Sequence, residues 1–401
     1  MPTKSKPTEQ KHLLISALIY DGGKSGISEY TRQLSYAFCA HRPISVALLR
    51  KDIKYFNAKH TNLSVIPISN IFANPIMSIV WHVLVLPLLL LNKKYDALIL
   101  PAINRRMGVW YPKPAIGIAH DLSQFSIGKK YGFFRTFYVK ALLPKLLGSL
   151  NHIVAISENT RRDLIRYWRV DEQIISVKYN GYDAKRFNEH LPDTATDTLK
   201  KYGIDQPYLI YVSRIEHPGK NHVRLLEAFD QLEPQIANNK LLIFVGNDWN
   251  GSAQVRQYAM RMERNAQVRF LGFVATEELP SLYHHAELMV FPSLYEGFGI
   301  PLVEAMACGT PCVCSNNSAL GEIAGDAAFT FSPSSVNSIK NALTLALSNP
   351  SAAAIKKDRA RRKCYRFSWP NLAAHIDSKI SELKPCKSTN TYLKPPSAKQ
   401  G

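Results

Sequence analysis

A carboxylate, two glycines and a second carboxylate follow one another in the segment Phe291–Cys314, which reads FPSLYEGFGIPLVEAMACGTPCVC. Glu296 directly precedes Gly297, Gly299 follows two residues later, and Glu304 stands eight residues after Glu296. Glycine lets a backbone approach a ligand closely. Carboxylates beside a phosphate would repel it unless they bound another group, and sugar hydroxyls are the obvious one. The segment therefore predicts a site for a sugar joined to phosphate.

A helix is predicted directly after these glycines. Pro301 suits the first helical position, where the N–H group that proline lacks would have no partner, and Gly309 follows the predicted helix Pro301–Cys308 as a stop. The first amides of a helix attract an anion, and open α/β sheets bind ligands at the carboxyl ends of their strands. The backbone groups expected to face the anion are those of Phe298, Gly299, Ile300 and Leu302.

Two cations follow the predicted strand Tyr208–Val212 in the sequence VSRIEHPGKNH. Arg214 and Lys220 both fall on the loop between this strand and the next helix, where they can clamp a diphosphate. A solvated surface pair is the alternative interpretation.

The first half of the chain carries weaker candidates. Gly22 and Gly23 belong to a glycine-rich loop before the predicted helix Glu29–Ala40, and a single loop of this kind is weak evidence. His120 follows the predicted strand Ala115–Ala119. A lone histidine is more often structural, but this one stands at the carboxyl end of a strand, so it remains a candidate.

The sequence favours a site without a metal or a cofactor. No two aspartates stand two residues apart to hold a divalent metal, and no Walker A sequence occurs. Arg214, Lys220 and a helix N-terminus can neutralise a diphosphate without a metal. Cys308, Cys312 and Cys314 match no common zinc spacing, so we interpret them as small buried residues.

Short apolar runs alternate with helical stretches, which predicts two doubly wound α/β domains. The predicted strands of the first half are Leu13–Tyr20, Ile44–Leu49, Ala97–Leu100, Ala115–Ala119 and His152–Ile156. Those of the second half are Tyr208–Val212, Leu241–Val245, Val268–Leu271, Leu288–Phe291 and Pro311–Cys314. The polar segment Asp183–Lys201 has no apolar repeat and is predicted to be a linker.

The chain has 401 residues, of which 46% are hydrophobic, and a formal net charge of +19. The hydrophobic share excludes a disordered chain. Residues 1–190 hold 27 Lys and Arg against 12 Asp and Glu, whereas residues 191–401 hold 23 against 19. This excess in the first half fits a nucleic acid or an anionic lipid surface. The run nearest to a nucleic-acid pattern, FFRTFYVK at 133–140, equally suits a helix that faces a membrane or an acceptor.

The apolar segments favour a cytosolic protein that contacts a membrane surface without spanning the membrane. The run Leu13–Tyr20 is short for a signal peptide and ends in Asp21, and the cysteine spacing is not that of a disulfide framework. The most apolar stretch, Pro75–Leu91, has 17 residues, fewer than the roughly 20 that a spanning helix needs. It predicts either a buried helix or a helix that lies in a membrane interface.

Together these residues resemble the glycosyltransferase family 4 pattern of the GT-B fold. The E-x7-E spacing of Glu296 and Glu304 and the pair Arg214 and Lys220 carry the resemblance, and three segments extend it: SENTRRDL from Ser157, LGFV at 271–274 and FSW at 367–369. The resemblance implies an acceptor-binding domain at 1–185, a linker at 186–205 and a nucleotide-sugar-binding domain at 206–365. A helix at 366–383 would pack back on the first domain, and a disordered tail would follow at 384–401.

The same resemblance implies a retaining transfer from a nucleotide-diphospho-sugar. Glu296 would stabilise the positive charge that develops at the anomeric carbon, and Glu304 would hold the ribose hydroxyls. Arg214 and Lys220 would bind the diphosphate, and backbone groups at 298–302 would contact sugar and phosphate.

Other positions carry over in the same way. Phe273 and Val274 would flank the base, and His120 would lie near the hydroxymethyl group of the sugar. Gly22 and Gly23 would let the first domain close over the diphosphate.

Within this family the chain looks most like bacterial mannosyltransferases and related hexosyltransferases that build O-antigens or exopolysaccharides. This implies GDP-mannose as the leading donor, a lipid-linked or lipopolysaccharide glycan as acceptor, and a place at the inner face of the cytoplasmic membrane, with anionic lipid and not nucleic acid as the partner. A sugar-nucleotide epimerase of the same fold and a non-catalytic sugar-binding scaffold are the alternatives.

Overall fold

Two parallel sheets organise the residues that the computed structural model describes, which are 12–23, 25–56, 60–126 and 138–383. The strands of the first sheet are β1 (His12–Ser16), β2 (Ile44–Leu49), β3 (Leu63–Ile68), β4 (Tyr95–Leu100), β5 (Ala115–Ala119), β6 (His152–Ala155) and β7 (Ile175–Val177). Those of the second are β8 (Tyr208–Val212), β9 (Leu241–Val245), β10 (Val268–Gly272), β11 (Leu288–Phe291), β12 (Cys312–Ser315) and β13 (Phe329–Phe331). We call the two sheets with their helices the N-terminal and the C-terminal domain.

Helices connect the strands in both domains. Those of the N-terminal domain are Gly26–Cys39, Pro75–Val80, Leu86–Leu90, Ser123–Ser126, Leu143–Leu146 and Glu158–Trp168. Those of the remaining chain are Ala195–Lys201, His222–Asp230, Pro234–Ala237, Ser252–Arg261, Leu279–His285, Ile300–Ala307, Ser318–Ala324, Val336–Ser348, Pro350–Cys364 and Trp369–Glu382. Short 3-10 turns lie at Arg50–Tyr55, Asn70–Ala73, Leu147–Ser149, Glu172–Ile174, Asn265–Gln267 and Gly325–Ala327, and π-helical turns at Trp81–Val85 and Tyr138–Leu142.

The strand order of each sheet reverses at one point. In the first sheet the order is β3-β2-β1-β4-β5-β6-β7, and in the second it is β10-β9-β8-β11-β12-β13. Leu13 and Ile15 of β1 belong to one buried apolar cluster and Leu14 to another, so this sheet is covered on both faces. Parallel sheets of this kind bind ligands at the carboxyl ends of the strands beside the reversal, which are β1 with β4 and β8 with β11.

The predicted doubly wound architecture is confirmed, and all ten predicted strands are present with ends shifted by at most four residues. Three strands were missed, namely β3, β7 and β13, and each lies at an edge of its sheet. β7 and β13 have only three residues each, and Ser64 and Pro67 are exposed within β3, so these three strands lack the continuous apolar run by which the others were found.

The polar segment Asp183–Lys201, predicted to be a linker, contains the helix Ala195–Lys201. Tyr202 follows this helix directly, and its hydroxyl donates to Glu278 of the C-terminal domain at 2.7 Å. The helix buries only Ala195 and Thr198, which is too few residues to produce an apolar repeat in the sequence.

The chain passes between the domains twice, first at residues 178–194 and again at 365–368. The second passage leads into the helix Trp369–Glu382, which packs against the helix Gly26–Cys39 of the N-terminal domain. Arg42 joins the two, because its guanidinium donates to Asp377 at 2.7 Å and to Asp96 at 2.8 Å.

The apolar stretch Pro75–Leu91 forms two short α-helices joined by the π-helical turn Trp81–Val85. One side, with Trp81 and Leu86, is buried in the core, whereas the other side is exposed. The stretch is therefore buried on one side only. No helix among the described residues is long and apolar enough to cross a bilayer.

Some predictions concern residues outside the described part of the chain. These are the start of the chain before His12, most of the run at 133–140 and the tail at 384–401.

Candidate active site

A cleft lies between the domains, where the loops after β1, β4 and β5 face the loops after β8 and β11. It encloses a cavity of about 350 Å³. The charged residues that line it are Arg105, Asp121, Arg214, Lys220 and Glu296. Because four of these five loops, all but the one after β5, follow the strands beside the two reversals, the sheet topology itself places the cleft.

Lys220 and Glu296 form an ion pair at the centre of the cleft, with 2.6 Å between Nζ and Oε1. Both side chains are more than four-fifths buried. Their loops follow the neighbouring strands β8 and β11, and the amide of Leu294 donates to the carbonyl of Gly219 at 3.0 Å, which fastens one loop to the other. The carboxylate predicted to face a sugar and the cation predicted to face a phosphate thus act as one unit.

Arg214 lies on the same loop as Lys220 and lines the cavity. One of its guanidinium nitrogens donates to Glu216 Oε2 at 3.2 Å. Glu216 is buried, whereas the Arg214 side chain is 46% exposed. Most of its hydrogen-bond donors therefore remain open to a ligand.

The helix Ile300–Ala307 begins inside the cleft. Gly299 has a φ of +100°, a conformation that favours glycine. The amides of Phe298, Gly299 and Ile300 have no hydrogen-bond partner among the described residues, so they are open to an anion. The amide of Leu302 donates to the Gly299 carbonyl at 3.0 Å, and this residue does not line the cavity.

The two domains touch where Gly297 meets the backbone of His120. A Cβ atom added to Gly297 would lie 2.0 Å from the carbonyl oxygen of His120 and 3.1 Å from Cβ of Asp121. Since the nearest obstacle is backbone, the domains can reach this arrangement only with glycine at position 297.

The His120 ring is fixed and buried at the wall of the cavity. Its Nε2 lies 2.6 Å from the carbonyl of Pro101, which can only accept, so Nε2 carries a proton. The edge of the ring meets Tyr30 at 4.5 Å between centroids. Burial lowers the pKa of His120, which keeps the ring neutral and leaves Nδ1 as a hydrogen-bond acceptor.

Glu304 does not line the cavity, although it is one turn into the helix that begins there. Burial, followed by the nearby charge of Glu29, raises the pKa of Glu304 to about 8, while Arg186 acts in the opposite direction. The hydroxyl of Tyr283 donates to Glu304 Oε2 at 3.5 Å. Glu304 therefore lies where both domains influence its charge.

Four other predicted residues also lie outside the cavity lining. Phe273 is 69% exposed and Val274 is buried. Gly22 and Gly23 have φ values of +76° and +84°, and the residues of their loop and the following helix that line the cavity are Ser25, Gly26, Ile27 and Tyr30.

Several lining residues were not predicted, namely Tyr30, Arg105, Ser123, Asn180, Ser213 and Tyr295. Arg105 and Ser123 follow the carboxyl ends of β4 and β5, so the rule that identified His120 could also have identified them. Asn180 stands in the first passage between the domains, for which the sequence offers no comparable signal.

The segment SENTRRDL, singled out in the sequence, holds the domains together. Glu322 accepts hydrogen bonds from the amides of Glu158 at 2.8 Å and Asn159 at 3.0 Å. These are the first two residues of a helix, where a carboxylate is favourable. Tyr295, beside the catalytic candidate Glu296, donates its hydroxyl proton to Asp163 of the same helix.

The side chain of Phe298 packs against both passages between the domains. Its ring centroid lies 6.2 Å from that of Tyr179 in the first passage and 5.5 Å from that of Phe367 in the second. The loop that carries Glu296 is therefore in contact with the hinge.

Comparison with known proteins decides what kind of cleft this is. Residues 25–186 match the family model described as Glycosyltransferase Family 4, and residues 196–363 match the one described as Glycosyl transferases group 1. The O-antigen chain mannosyltransferase B of Escherichia coli is 33% identical over 263 residues, which are 64% of this chain and 67% of that protein.

The chain belongs to glycosyltransferase family 4. The predicted family and enzyme class, a hexosyltransferase, are thereby confirmed. The O-antigen chain mannosyltransferase RfbU of Salmonella typhimurium is 25% identical over 66% of this chain and 69% of its own length. The serotype-specific mannosyltransferase WbdA of Escherichia coli is 25% identical over 65% of this chain, but the alignment covers 32% of that protein.

Solved structures confirm the GT-B fold of the glycosyltransferase. HepE of Anabaena, in complex with UDP and glucose, has a TM-score of 0.73 and 19% identity over 93% of this chain and 100% of its own. WaaG, a glycosyltransferase involved in lipopolysaccharide biosynthesis, has a TM-score of 0.66 and 16% identity over 91% of this chain and 99% of its own.

The cysteines of the glycosyltransferase that were interpreted as small buried residues are buried. Cys308, Cys312 and Cys314 have exposed fractions of 4% or less. Within the described ranges, no group of three or more His, Cys, Asp or Glu side chains is arranged to hold a metal ion.

Replacement of Gly297 by alanine should separate the domains of the glycosyltransferase. The added Cβ would meet the His120 carbonyl, so we expect the transfer rate to fall on the order of a hundredfold, with a smaller effect on nucleotide binding. Gly148→Ala is the control, because its added Cβ meets no atom within 4 Å. Steady-state kinetics that give both variants the same rate would contradict the prediction.

Glu304 should make stability depend on pH. Its pKa is near 4.5 in the unfolded chain and about 8 in the folded chain, so the folded state binds more protons between these values and the free energy of unfolding falls as pH rises through this window. In urea unfolding, the Glu304→Gln variant should lose this decline in the free energy of unfolding, whereas the Glu263→Gln variant, changed at an exposed residue, should keep it. Equal pH profiles for wild type and Glu304→Gln would contradict the assignment.

Proposed function

We propose that this glycosyltransferase transfers mannose from GDP-mannose to a lipid-linked or lipopolysaccharide glycan, with retention of the anomeric configuration. The observation that carries the proposal is the Lys220–Glu296 pair at the open helix N-terminus, 2.6 Å apart in the cleft. It supplies a cation for a leaving diphosphate and a carboxylate for a developing positive charge. The mannosyl part is supported by the names of the E. coli and Salmonella relatives.

The C-terminal domain binds the leaving group in this proposal. The diphosphate accepts hydrogen bonds from Arg214, Lys220 and the amides of residues 298–300, which stabilise the charge that it gains. These groups, together with Arg105 across the cleft, supply the positive charge that a divalent metal would otherwise provide, so the proposal includes no metal or cofactor.

The sugar lies between the domains. Glu296 stabilises the positive charge at the anomeric carbon, and His120 accepts a hydrogen bond from a sugar hydroxyl at Nδ1. The bond from the anomeric carbon to the diphosphate breaks, a bond to the acceptor oxygen forms on the same face, and the acceptor proton passes to the departing diphosphate. No pair of carboxylates in a glycosidase arrangement is needed.

Both alternative functions lose support from the family assignment. A non-catalytic scaffold would not require the Lys220–Glu296 pair to remain intact. An epimerase would change the sugar without an acceptor, and the relatives reported above are named for transfer to a glycan.

An exposed apolar ridge on the N-terminal domain supports membrane contact. It runs along the stretch Pro75–Leu91, whose other side is in the core. Its members are Ile76, Ile79, Leu84, Leu88 and Leu91, with exposed fractions between 42% and 72%. A contiguous apolar face of this kind marks an interaction surface.

Basic residues border both ends of this ridge. Lys51 donates its amide to Asn70, just before the ridge, at 3.0 Å, and Arg50 and Lys54 of the same turn are also exposed while its one acidic residue, Asp52, is buried. Lys93 and Lys94 follow the other end. Apolar side chains flanked by cations suit the surface of an anionic membrane, and we propose that the protein rests there, at the cytoplasmic face.

The donor and the reaction can be tested together. With a polyprenyl-diphosphate-linked glycan and a panel of GDP- and UDP-hexoses, mass spectrometry should show one added hexose, most rapidly from GDP-mannose, and NMR should show a retained anomeric configuration. Glu296→Gln should lower kcat on the order of a hundredfold, whereas Glu287→Gln, from a surface pair with Lys240, should not. A changed sugar without any acceptor, or no transfer from any donor, would overturn the proposal.

Membrane contact should require both the ridge and its charges. Cosedimentation with vesicles that contain phosphatidylglycerol should exceed that with neutral vesicles and should weaken as salt is added. Replacement of Ile76, Leu84 and Leu88 by serine should reduce binding, whereas serine at Leu345 and Ile355, which are also more than half exposed but lie on the C-terminal domain, should not. Equal binding to neutral and anionic vesicles would remove this explanation of the basic excess.

A further inference from the structure

The loop after β9 continues the parallel pairing of β8 and β9 beyond the ends of the strands. The hydrogen bonds are Ile215 N to Asn247 O at 2.9 Å, Trp249 N to Ile215 O at 2.9 Å and His217 N to Asn250 O at 3.0 Å. Gly246 makes this approach possible, since a Cβ atom there would lie 2.1 Å from the Ser213 carbonyl. The loop is therefore a rigid support for the segment that carries Arg214.

Trp249 projects from this support onto Arg214. The guanidinium carbon of Arg214 lies 4.9 Å from the centre of the indole ring, within the range of a cation–π contact. Trp249 is itself 52% exposed, so the core does not account for its size. Its contact among the described residues is with Arg214, one of the cations that line the cleft.

We propose that Trp249 is a positioning residue for donor binding, which stacks on the Arg214 guanidinium and holds it toward the diphosphate. The proposal rests on the function proposed above, in that Arg214 binds the diphosphate. An indole face is suited to this task because it fixes the guanidinium plane without using any of its five N–H donors. Glu216 takes one donor at 3.2 Å, and the others remain for phosphate oxygens.

Binding of GDP and UDP to wild type, Trp249→Ala, Trp249→Phe and Arg214→Ala tests this assignment. Trp249→Ala should weaken both nucleotides by the same factor, about two- to fivefold, and should raise KM for the donor with little change in kcat. Trp249→Phe should restore most of the affinity, because phenylalanine also presents a ring face. Trp110→Ala, with the same exposed fraction of 52% in the N-terminal domain, should bind GDP like wild type.

The double variant Arg214→Ala/Trp249→Ala distinguishes the outcomes. If Trp249 acts through Arg214, its removal should have no further effect once Arg214 is gone. A loss that persists in the Arg214→Ala background would mean that the indole contacts the nucleotide directly and would overturn the proposal. So would wild-type affinity in Trp249→Ala when Arg214→Ala is weakened. Wild-type affinity in Arg214→Ala would instead contradict the diphosphate assignment of the proposed function.

Discussion

The contact between Gly297 and the carbonyl of His120 is the constraint on which the cleft depends. It sets how near the two domains come, because any side chain at position 297 would occupy the space of the backbone opposite. At that separation the Lys220–Glu296 pair and the fixed ring of His120 line the same cavity. Neither domain contains a complete site by itself, since the cations of one and the histidine of the other meet only here.

The groups that hold this arrangement are exposed enough to be exchanged for water. The first amides of the helix at Glu158 donate to the Glu322 carboxylate, and the Tyr295 hydroxyl donates to the Asp163 carboxylate, at exposed to half-buried positions. A hydrogen bond to a charged group contributes about 1.5–3 kcal/mol net, a small part of its strength in isolation, because water replaces it when the domains separate. Closure is thus specific in geometry, while its free energy depends on a few hydrogen bonds that water can replace.

The features that could be predicted from the sequence are those determined by residues close together along the chain. Apolar runs indicate the central strands, and the glycines and the following proline indicate the loop at Glu296. Three of the four edge strands were missed because they are very short or because exposed residues interrupt their apolar run. Asn180 was missed because its position in the cleft depends on the course that the chain takes from one domain to the other, and no local sequence pattern indicates that course. Glu304 and Phe273 were assigned by resemblance, and in the structure neither lines the cavity.

The packing of Phe298 against both passages determines how the domains can move. The two passages between the domains define an axis. Rotation of one domain about this axis leaves both passages nearly undistorted, whereas sliding of one domain along the other would distort both. The Phe298 ring lies beside this axis, between Tyr179 and Phe367. Points near an axis travel least, so the amides next to Phe298 would move little when one domain rotates against the other.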